Sequence, residues 1–320
     1  MPPVPVFTAE DVYAAVDPSE AVTAMHEAFV EHAQGNWVMP SKVYLGAQNG
    51  DFRAMPAGGG GFAVLKWVNS YPANPARALP TVSGVVILSE AETGQMQAFL
   101  DAGAVTAVRT GAAAVLAAET LARPTVAPAA VIGCGVNGQA VARTFLARDR
   151  EVLLWDARPD QARFVADELG EGASVADDMA DALASDIVVT VTPGREVLFH
   201  DGTLHAGQHV SLMGADGPGK AEIEIDELVR SRVVCDEWEQ ASHNGEIAHA
   251  VELGRLRREQ VAELGRVLLG EEAGRSDEHE ITAFDSTGLA VQDLAVAIAV
   301  FTRWREDPAS LPSVAPIELG

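Results

Sequence analysis

The sequence predicts an α/β protein in which a doubly wound parallel sheet is joined to an α+β domain with a mainly antiparallel sheet. Two observations support this fold class. From residue 130 onwards, short apolar segments alternate with helix-like segments, as they do when helices cross over between parallel strands. The first hundred residues instead contain strand-like segments that follow one another without such alternation.

The first part of the chain begins with a predicted helix over residues 18–34. The glycines at 58–61 predict a hairpin turn within a run of short strands. These strands are predicted over residues 42–45, 51–54, 63–68, 82–88 and 96–100. The alanine-rich segment 104–121 predicts a helix that Arg123-Pro124 ends.

The second part alternates between strands and helices. Strands are predicted over residues 151–155, 186–191, 209–214, 232–236 and 280–284, and helices over 139–148, 158–169, 179–184 and 225–231. A last helix, 288–303, has an apolar face that we expect to pack back on the first domain. We therefore expect two domains: residues 1–114 with 286–320, and residues 115–285.

A glycine motif in the second domain indicates a binding site for a dinucleotide. The apolar run ending at Ile132 opens into G-x-G-x-x-G, formed by Gly133, Gly135 and Gly138 with Val136 and Asn137 between them. In this pattern the glycines allow a tight turn, close approach of the backbone to a pyrophosphate, and close helix–strand packing. The strand before the motif and the helix after it favour a Rossmann-type dinucleotide site over a glycine-rich turn without a ligand.

Asp156 ends the next predicted strand. An acidic residue about 20 positions beyond the glycines binds the ribose 2′-hydroxyl of NAD and repels the 2′-phosphate of NADP. The expected cofactor is therefore NAD. Arg158, two residues later, leaves NADP open as the alternative.

The chain is strongly acidic, with 46 Asp and Glu against 22 Lys and Arg and a formal net charge of -24. Its lysines are Lys42, Lys66 and Lys220, so the other nineteen basic residues are arginines. Dense surface carboxylates suit a high-salt cytoplasm, where screening relieves their repulsion. An ordinary acidic protein is the alternative. In either case nucleic acid is not an expected partner.

No signal peptide or membrane-spanning segment is expected, which predicts a cytoplasmic protein. Cys134 and Cys235 do not form a disulfide framework. The spacing of His200, His205 and His209 resembles a metal site, but we interpret these histidines as loop residues and expect no metal.

Lys66 is the first candidate for chemistry in the first domain. It lies in a β-like run, residues 62–69, whose other members are mostly apolar, so we expect its ammonium to point into a cleft. The alternative is a lysine that reaches water from a strand edge.

Several blocks together resemble the ornithine cyclodeaminase, μ-crystallin and archaeal alanine dehydrogenase family, over nearly the whole chain. One departure lies in the glycine motif, where the family usually carries Gln-Ala and this chain has Asn137-Gly138. The matching blocks are residues 51–56, Lys66 with Asn69, 79–84, 108–113, 214–222, 235–241 with 245–246, and 286–288 with 292–293.

The resemblance implies an amino acid substrate. Arg53 and Arg109 would bind its carboxylate through their guanidinium forks. Lys66 would contact the carboxylate or the oxygen of the reacting centre, and Asp216 would activate water or carry protons to an amine. The alternatives are a helix-surface ion pair for Arg109 and a turn-forming aspartate for Asp216.

The resemblance also implies cofactor contacts and an assembly. Thr81, Ser286 and Gly288 are expected to line the nicotinamide pocket, and Arg109 is also expected to contact the cofactor. A homodimer formed through the sheet of the first domain is the expected assembly.

The expected function is that of an NAD-dependent oxidoreductase. It would interconvert a small L-amino acid and its imino or keto acid by hydride transfer, like an alanine dehydrogenase or a ketimine reductase. Ornithine cyclodeaminase activity, which gives proline and ammonia with catalytic NAD, is the alternative. A non-catalytic cofactor-binding protein of the crystallin type is disfavoured because Arg53, Lys66, Arg109 and Asp216 are all retained.

Overall fold

The structure, a computed structural model, describes residues 3–215, 217 and 219–318. The chain divides into two compact units. Unit 1 comprises Met1–Arg109 and Leu289–Gly320, and unit 2 comprises Thr110–Gly288. The C-terminal segment thus belongs to the same unit as the N-terminal part of the chain.

The elements are numbered in chain order. The strands are β1 (Val4–Phe7), β2 (Val43–Ala47), β3 (Gly50–Gly59), β4 (Phe62–Ser70), β5 (Val82–Glu90), β6 (Met96–Asp101), β7 (Ala129–Ile132), β8 (Val152–Trp155), β9 (Ala173–Val175), β10 (Ile187–Thr190), β11 (His209–Leu212), β12 (Arg232–Cys235), β13 (Ala262–Glu263), β14 (Thr282–Asp285) and β15 (Ala315–Ile317). The α-helices are α1 (Ala9–Ala15), α2 (Pro18–Ala33), α3 (Ala102–Leu121), α4 (Val136–Ala147), α5 (Pro159–Leu169), α6 (Met179–Leu183), α7 (Ile225–Val229), α8 (Trp238–Asn244), α9 (Ala248–Glu252), α10 (Leu264–Leu268) and α11 (Ala290–Glu306).

Unit 1 contains one sheet of seven strands among its described residues, in the order β15-β1-β6-β5-β4-β3-β2. Neighbouring strands are antiparallel except β1 and β6, which are parallel. Helix α11 packs against α2 and strands β3 and β4. Its buried residues include Leu294, Val296 and Val300, so the last helix does return to the first unit as expected.

Unit 2 is built on a parallel sheet with the order β13-β12-β14-β11-β10-β7-β8-β9 over its described strands. The chain runs outward from β7 to β9 and then resumes at β10 on the other side of β7. This reversal is the topological switch point of a doubly wound fold, beside which ligands bind at the carboxyl ends of the strands. The fold class predicted from the sequence is confirmed.

The differences from the predicted elements concern short segments. Strands β1, β9, β13 and β15 and helices α1, α8, α9 and α10 were not expected, and none is longer than seven residues. Segments of this length contain too few repeats for hydrophobic periodicity to identify them. Helix α4 begins at Val136, inside the glycine motif.

Helix α3 passes a length and composition test for crossing a membrane, contrary to the expectation that no such segment exists. It has 20 residues and is apolar enough for this by composition alone. However, most of the helix is buried within the protein. Its alanines fill a protein core, which accounts for the apolar composition.

The interpretation of His209 as a loop residue was wrong. His209 begins β11 and is fully buried. Its Nδ1 lies 2.9 Å from Thr282 Oγ1 and its Nε2 lies 2.9 Å from Ser211 Oγ. Burial lowers the pKa of the imidazole to about 3, so a neutral ring links β11 to β14.

Candidate functional site

Lys66 lies on the inner face of the unit 1 sheet. Strand β4 alternates strictly, so that Val64, Lys66 and Val68 are buried while Leu65 and Trp67 are exposed. Lys66 itself is 2% exposed. The ammonium is therefore withheld from water as predicted, and it does not reach solvent from a strand edge.

The partner of Lys66 is Asp293. The ammonium Nζ donates to Asp293 Oδ1 at 2.8 Å and to Thr106 Oγ1 at 3.3 Å. Asp293 lies in the first turn of α11 and is 0% exposed. A buried ammonium without an opposite charge is costly, so this pair keeps the charged form of Lys66 accessible.

Burial is the largest influence on the Lys66 ammonium and lowers its pKa to about 8. The negative charge of Asp293 and its hydrogen bond oppose this shift, whereas the positive charges of Arg109 and Arg53 reinforce it. A lysine with a pKa near 8 can both give and take a proton near neutral pH.

Arg109 completes the charged group in unit 1. It lies on α3 with a side chain that is 13% exposed. Its Nε is 3.9 Å from Asp293 Oδ1, and its Nη1 donates to Gln292 Oε1 at 3.4 Å. The predicted Arg109 and Lys66 thus share one carboxylate, that of Asp293.

Three buried polar atoms in this group have no hydrogen-bond partner among the described residues. They are Arg109 Nε, Gln292 Nε2 and Asp293 Oδ2. Unpaired buried donors and acceptors are costly and usually mark a place that a ligand or water fills. Two donors and one acceptor beside a buried ammonium suit a small ligand with both a carboxylate and an amine.

Arg53 lies on the same face of the sheet as Lys66, since it pairs in register with Val68. Its Nε donates to Asp51 Oδ1 at 2.6 Å, and its guanidinium carbon lies 5.5 Å from the centre of the Tyr44 ring. The guanidinium is thereby oriented before any ligand arrives. Thr81 lies just before β5, and its carbonyl accepts a hydrogen bond from the backbone N–H of Tyr71.

In unit 2 the glycine motif has the geometry of a dinucleotide loop. Gly133 has φ +101°, and a Cβ there would lie 2.7 Å from the Val191 carbonyl oxygen. A Cβ at Gly138 would lie 1.8 Å from the Gly133 carbonyl oxygen, so the alanine usual in the family would require the backbone to move here.

The surface in front of this loop is open. A Cβ at Gly135 would meet nothing within 4 Å, and Val136, the first residue of α4, is 62% exposed. Asn137 follows in the first turn of the helix. Free backbone N–H groups at a helix N-terminus favour an anion, so the residues present fit the pyrophosphate of a dinucleotide.

Asp156 holds the loop from the neighbouring strand. Its Oδ2 accepts from the backbone N–H of Cys134 at 2.8 Å, and its Oδ1 accepts from that of Arg158 at 2.9 Å. The carboxylate therefore stands beside the phosphate loop at the carboxyl end of β8, where a ribose hydroxyl would be bound.

Ser286 and Gly288 follow β14 and are fixed by Asp236. The Gly288 N–H donates to Asp236 Oδ2 at 2.7 Å, and the Ser286 hydroxyl donates to the same oxygen at 3.4 Å. Both residues thus lie at the carboxyl end of the parallel sheet. Asp216 lies outside the described residues, although Gly214 and Ala215 before it follow β11.

Sequence reasoning gave no role to Asp293 or to the buried acids Glu222, Glu246 and Asp285. A signal for Asp293 was available, because a buried lysine requires a buried acid and Asp293 stands in an otherwise apolar helix face. Glu222, Glu246 and Asp285 lie near glycines or strand ends in the sequence, which is a weak signal. They become neighbours only in the folded chain.

The strand order, the glycine loop and the acidic residue beside it define a Rossmann-fold dinucleotide-binding protein. The chain belongs to the ornithine cyclodeaminase/mu-crystallin family, which it matches over residues 5–308. The family resemblance inferred from the sequence is thereby confirmed.

Individual relatives extend this assignment. The chain is 43% identical to an alanine dehydrogenase of Archaeoglobus fulgidus, over 92% of this chain and 94% of that protein. An archaeal alanine dehydrogenase dimer with bound NAD superposes with a TM-score of 0.91 at 40% identity, covering 99% of both chains. A Δ(1)-pyrroline-2-carboxylate reductase of Thermococcus litoralis, in complex with NADH and L-proline, gives 0.90 at 25% identity, with 99% of this chain and 100% of that chain covered.

Proposed function

We propose that the protein is an NAD-dependent oxidoreductase that interconverts a small L-amino acid and its imino or keto acid, with alanine as the leading substrate. The observation that carries this proposal is the buried group of Lys66, Asp293 and Arg109, with polar atoms left unpaired for a ligand. The similarity to alanine dehydrogenases and to an imine-reducing relative supports it.

In this proposal the arginines bind and orient the substrate. Arg109 and Arg53 take the carboxylate of the amino acid, since guanidinium groups stay charged at any working pH and form paired hydrogen bonds. Asp293 accepts from the amino group through the oxygen that is unpaired in the described residues. The α-carbon is then held between a fixed positive and a fixed negative charge.

Lys66 holds and moves the proton. Its pKa of about 8 allows it to stabilise negative charge on the oxygen of a carbinolamine and to take up the proton released when the amine becomes an imine. Asp216, on the segment after β11, activates the water that converts the imine to the keto acid and ammonia.

When NAD is bound, its nicotinamide accepts the hydride that the α-carbon loses, or returns it in the reverse direction. The residues proposed to hold NAD are Gly133, Gly135, Val136, Asn137, Gly138 and Asp156 at the phosphates and ribose, with Thr81, Arg109, Ser286 and Gly288 towards the nicotinamide. NAD rather than NADP is proposed because Asp156 stands where a 2′-phosphate would be repelled.

Ornithine cyclodeaminase activity is the second candidate, supported by the family to which the chain belongs. It requires an anionic group for the distal ammonium of ornithine. Among the described acids near the proposed carboxylate-binding residues, Asp51 pairs with Arg53 and Asp293 with Lys66. This pairing favours a small neutral side chain.

The protein is further proposed to be a homodimer formed through the unit 1 sheet. The face of this sheet opposite Lys66 is apolar and exposed, and Phe52 stacks on Trp67 there with ring centres 5.5 Å apart. Such a face on a protein of this size favours association. The exposed apolar residues include Val43, Leu45, Leu65 and Trp67.

We also propose a cytoplasmic protein of a high-salt cell, without nucleic-acid or membrane partners. The net charge of -24 and the small number of lysines relative to arginines support this proposal.

The decisive experiment uses the purified protein in about 2 M KCl, where charge repulsion is screened, with NAD and either L-alanine or L-ornithine. NADH absorbance and free ammonia are followed together. Ammonia with an equal amount of NADH from alanine supports the proposal. Ammonia from ornithine without net NADH supports the cyclodeaminase. No turnover of either amino acid with NAD, and none of pyruvate with ammonia or of a cyclic imine with NADH, contradicts both activities.

A further inference from the structure

Three buried carboxylic acids near the carboxyl end of the unit 2 sheet have no place in the chemistry described so far. Glu222 and Asp285 are 0% exposed and Glu246 is 4% exposed. They follow one another across the carboxyl end of the parallel sheet, and Asp236 is the further acid that faces them. Burying so many acids is costly unless each makes several hydrogen bonds.

The side chain of Glu222 links two segments of the chain, one containing Thr190 and Thr192 and the other containing Gly214. Its Oε2 accepts from Thr190 Oγ1 at 2.6 Å and from the Gly214 N–H at 3.1 Å, while its Oε1 accepts from Thr192 Oγ1. Thr190 ends β10 and Gly214 follows β11. A single carboxylate therefore joins the ends of two neighbouring strands.

The other two acids support Glu222 in series. Both oxygens of Glu246 accept from the Glu222 N–H, at 2.9 and 3.0 Å. Asp285 Oδ2 in turn accepts from the Ile247 N–H at 3.1 Å, next to Glu246. Asp285 ends β14, so the series starts from a fixed point of the sheet.

Two glycines make this arrangement sterically possible. A Cβ at Gly214 would lie 2.6 Å from the Glu222 carboxyl group, and a Cβ at Gly245 would lie 2.3 Å from Asp285 Oδ2. Any larger residue at either position would displace the acid. This accounts for the glycine at the start of residues 214–222 and for Gly245-Glu246, two of the blocks noted in the sequence.

We propose that Glu222 is a positioning residue that fixes both ends of the segment from Gly214 to Glu222, its side chain holding Gly214 and its backbone being held by Glu246. The consequence is that Gly214 and Glu222, the two described ends of this segment, are held in place at the carboxyl end of the sheet. Asp216 belongs to this segment, and its catalytic role rests on the proposed function.

The test compares E222A with E222Q and with E227A. Glu227 is a matched control because it is also fully buried in unit 2, where it accepts from the Gly202 N–H and from Arg230, both outside residues 213–222. The measurements are hydrogen–deuterium exchange of the peptide covering 213–222, the Kd for NAD, and kcat.

We expect E222A to exchange faster in this peptide and to lose about tenfold to a hundredfold in kcat, the scale of a small misplacement of a reacting group. The Kd for NAD should change less than about twofold, well below the tenfold that corresponds to 1.4 kcal/mol. E222Q keeps an oxygen towards Gly214 and should restore most of both properties. E227A should lower the melting temperature without affecting this peptide or kcat.

If E222A does not fold, G214A provides the same test with the acid retained, since its methyl group displaces the carboxyl group. Unchanged exchange in 213–222 for a folded E222A or G214A overturns the proposal, as does faster exchange spread evenly over unit 2. Hydrogen–deuterium exchange does not depend on turnover. An inactive wild type would therefore contradict the proposed function, but the exchange of the 213–222 peptide would still test the role of Glu222.

Discussion

At the scale of single residues, Lys66 is the group whose environment most determines its chemistry. It is buried, its pKa is near 8, and the only described carboxylate within 3 Å of its Nζ is Asp293. The charge of Asp293 raises the pKa of Lys66 against the effect of burial. The ionisation of Lys66 thus depends on burial and, in the opposite direction, on a residue from the other end of the chain.

D293N should therefore lower the pKa of Lys66 further, because burial and the charges of Arg109 and Arg53 would act without opposition. In the pH profile of kcat/KM we expect an inflection near pH 8 in the wild type and a clear displacement to lower pH in D293N. D51N is the matched control, since Asp51 pairs with Arg53, and it should leave the inflection in place. An inflection that does not move in D293N would show that Asp293 does not set this ionisation.

Asp156 provides a second prediction at this scale. D156S removes the carboxylate expected to repel a 2′-phosphate and should reduce the preference for NAD over NADP by at least about tenfold, or 1.4 kcal/mol. The measurement is the ratio of kcat/KM for the two cofactors. Because Asp156 also holds the Cys134 N–H, KM for NAD should rise as well. A preserved preference would exclude Asp156 as its source.

Among single residues, the burial of Lys66 could be predicted, because a lysine within an alternating apolar strand has to face a core or a cleft. The apolar surroundings of Asp293 in the sequence mark it as a candidate partner, but the sequence does not pair the two residues. Asp293 is 227 positions away, and only the packing of α11 on the sheet brings the two together. Likewise, Glu222 and Asp285 become neighbours through the strand order of unit 2.

At the scale of elements, two glycines of the motif have different functions, Gly135 in ligand binding and Gly138 in helix packing. A methyl group at Gly135 meets open space, whereas one at Gly138 meets the Gly133 carbonyl at 1.8 Å. Gly135 therefore leaves room for the ligand, and Gly138 allows α4 to pack on its own loop.

We predict that G135A keeps a wild-type melting temperature but weakens NAD binding by at least about tenfold, or 1.4 kcal/mol. G138A should lower both the affinity for NAD and the free energy of unfolding, by about 1–3 kcal/mol for an overpacked site. Thermal unfolding and calorimetric titration with NAD measure the two quantities. Equal losses of stability in both variants would contradict the distinction.

Asp285, at the carboxyl end of strand β14 in unit 2, provides a prediction about stability. Burial, followed by the charge of Asp236, raises the pKa of this acid to about 8 from 3.8, with Glu222 adding to the effect. Between these two pH values the folded protein keeps a proton that the unfolded chain has lost, so stability falls as the pH rises towards 8. This loss of stability is complete above about pH 8 and absent well below about pH 4.

D285N should remove this dependence, since an amide oxygen can still accept from Ile247 without carrying charge. We expect D285N to gain about 2–3 kcal/mol relative to the wild type between pH 6 and pH 8.5, on the basis of 1.4 kcal/mol per pKa unit. Urea unfolding at a series of pH values gives this difference. A difference that is constant with pH would show that Asp285 does not hold the proton.

The elements themselves were predictable where they are long or marked by glycines. Residues 58–61 identified a hairpin, and Gly133 to Gly138 identified the first strand–helix turn of the parallel sheet. Strands such as β13, with two residues, leave no pattern in the sequence because their neighbours in the sheet define them.

At the scale of the whole molecule, the dominant feature is the charge of -24. Repulsion of this size opposes the compact state at low ionic strength, and the Debye length falls from about 10 Å at 0.1 M to about 3 Å at 1 M salt. We predict that the free energy of unfolding rises steadily when KCl is raised over this range. Sorbitol at matched osmolality is the control, because it stabilises by exclusion without screening charge. Equal stabilisation by both would contradict an adaptation to salt.

The scarcity of lysine has a practical consequence for the proton at Lys66. A sample labelled with 13C at the lysine side chains contains only three ε-methylene groups, those of Lys42, Lys66 and Lys220. The nineteen arginines stay charged throughout the range in which lysines titrate. The protein is therefore its own spectroscopic indicator: the one resonance that titrates near pH 8 and shifts in D293N reports the proton at the proposed site directly, without substrate, cofactor or an added probe.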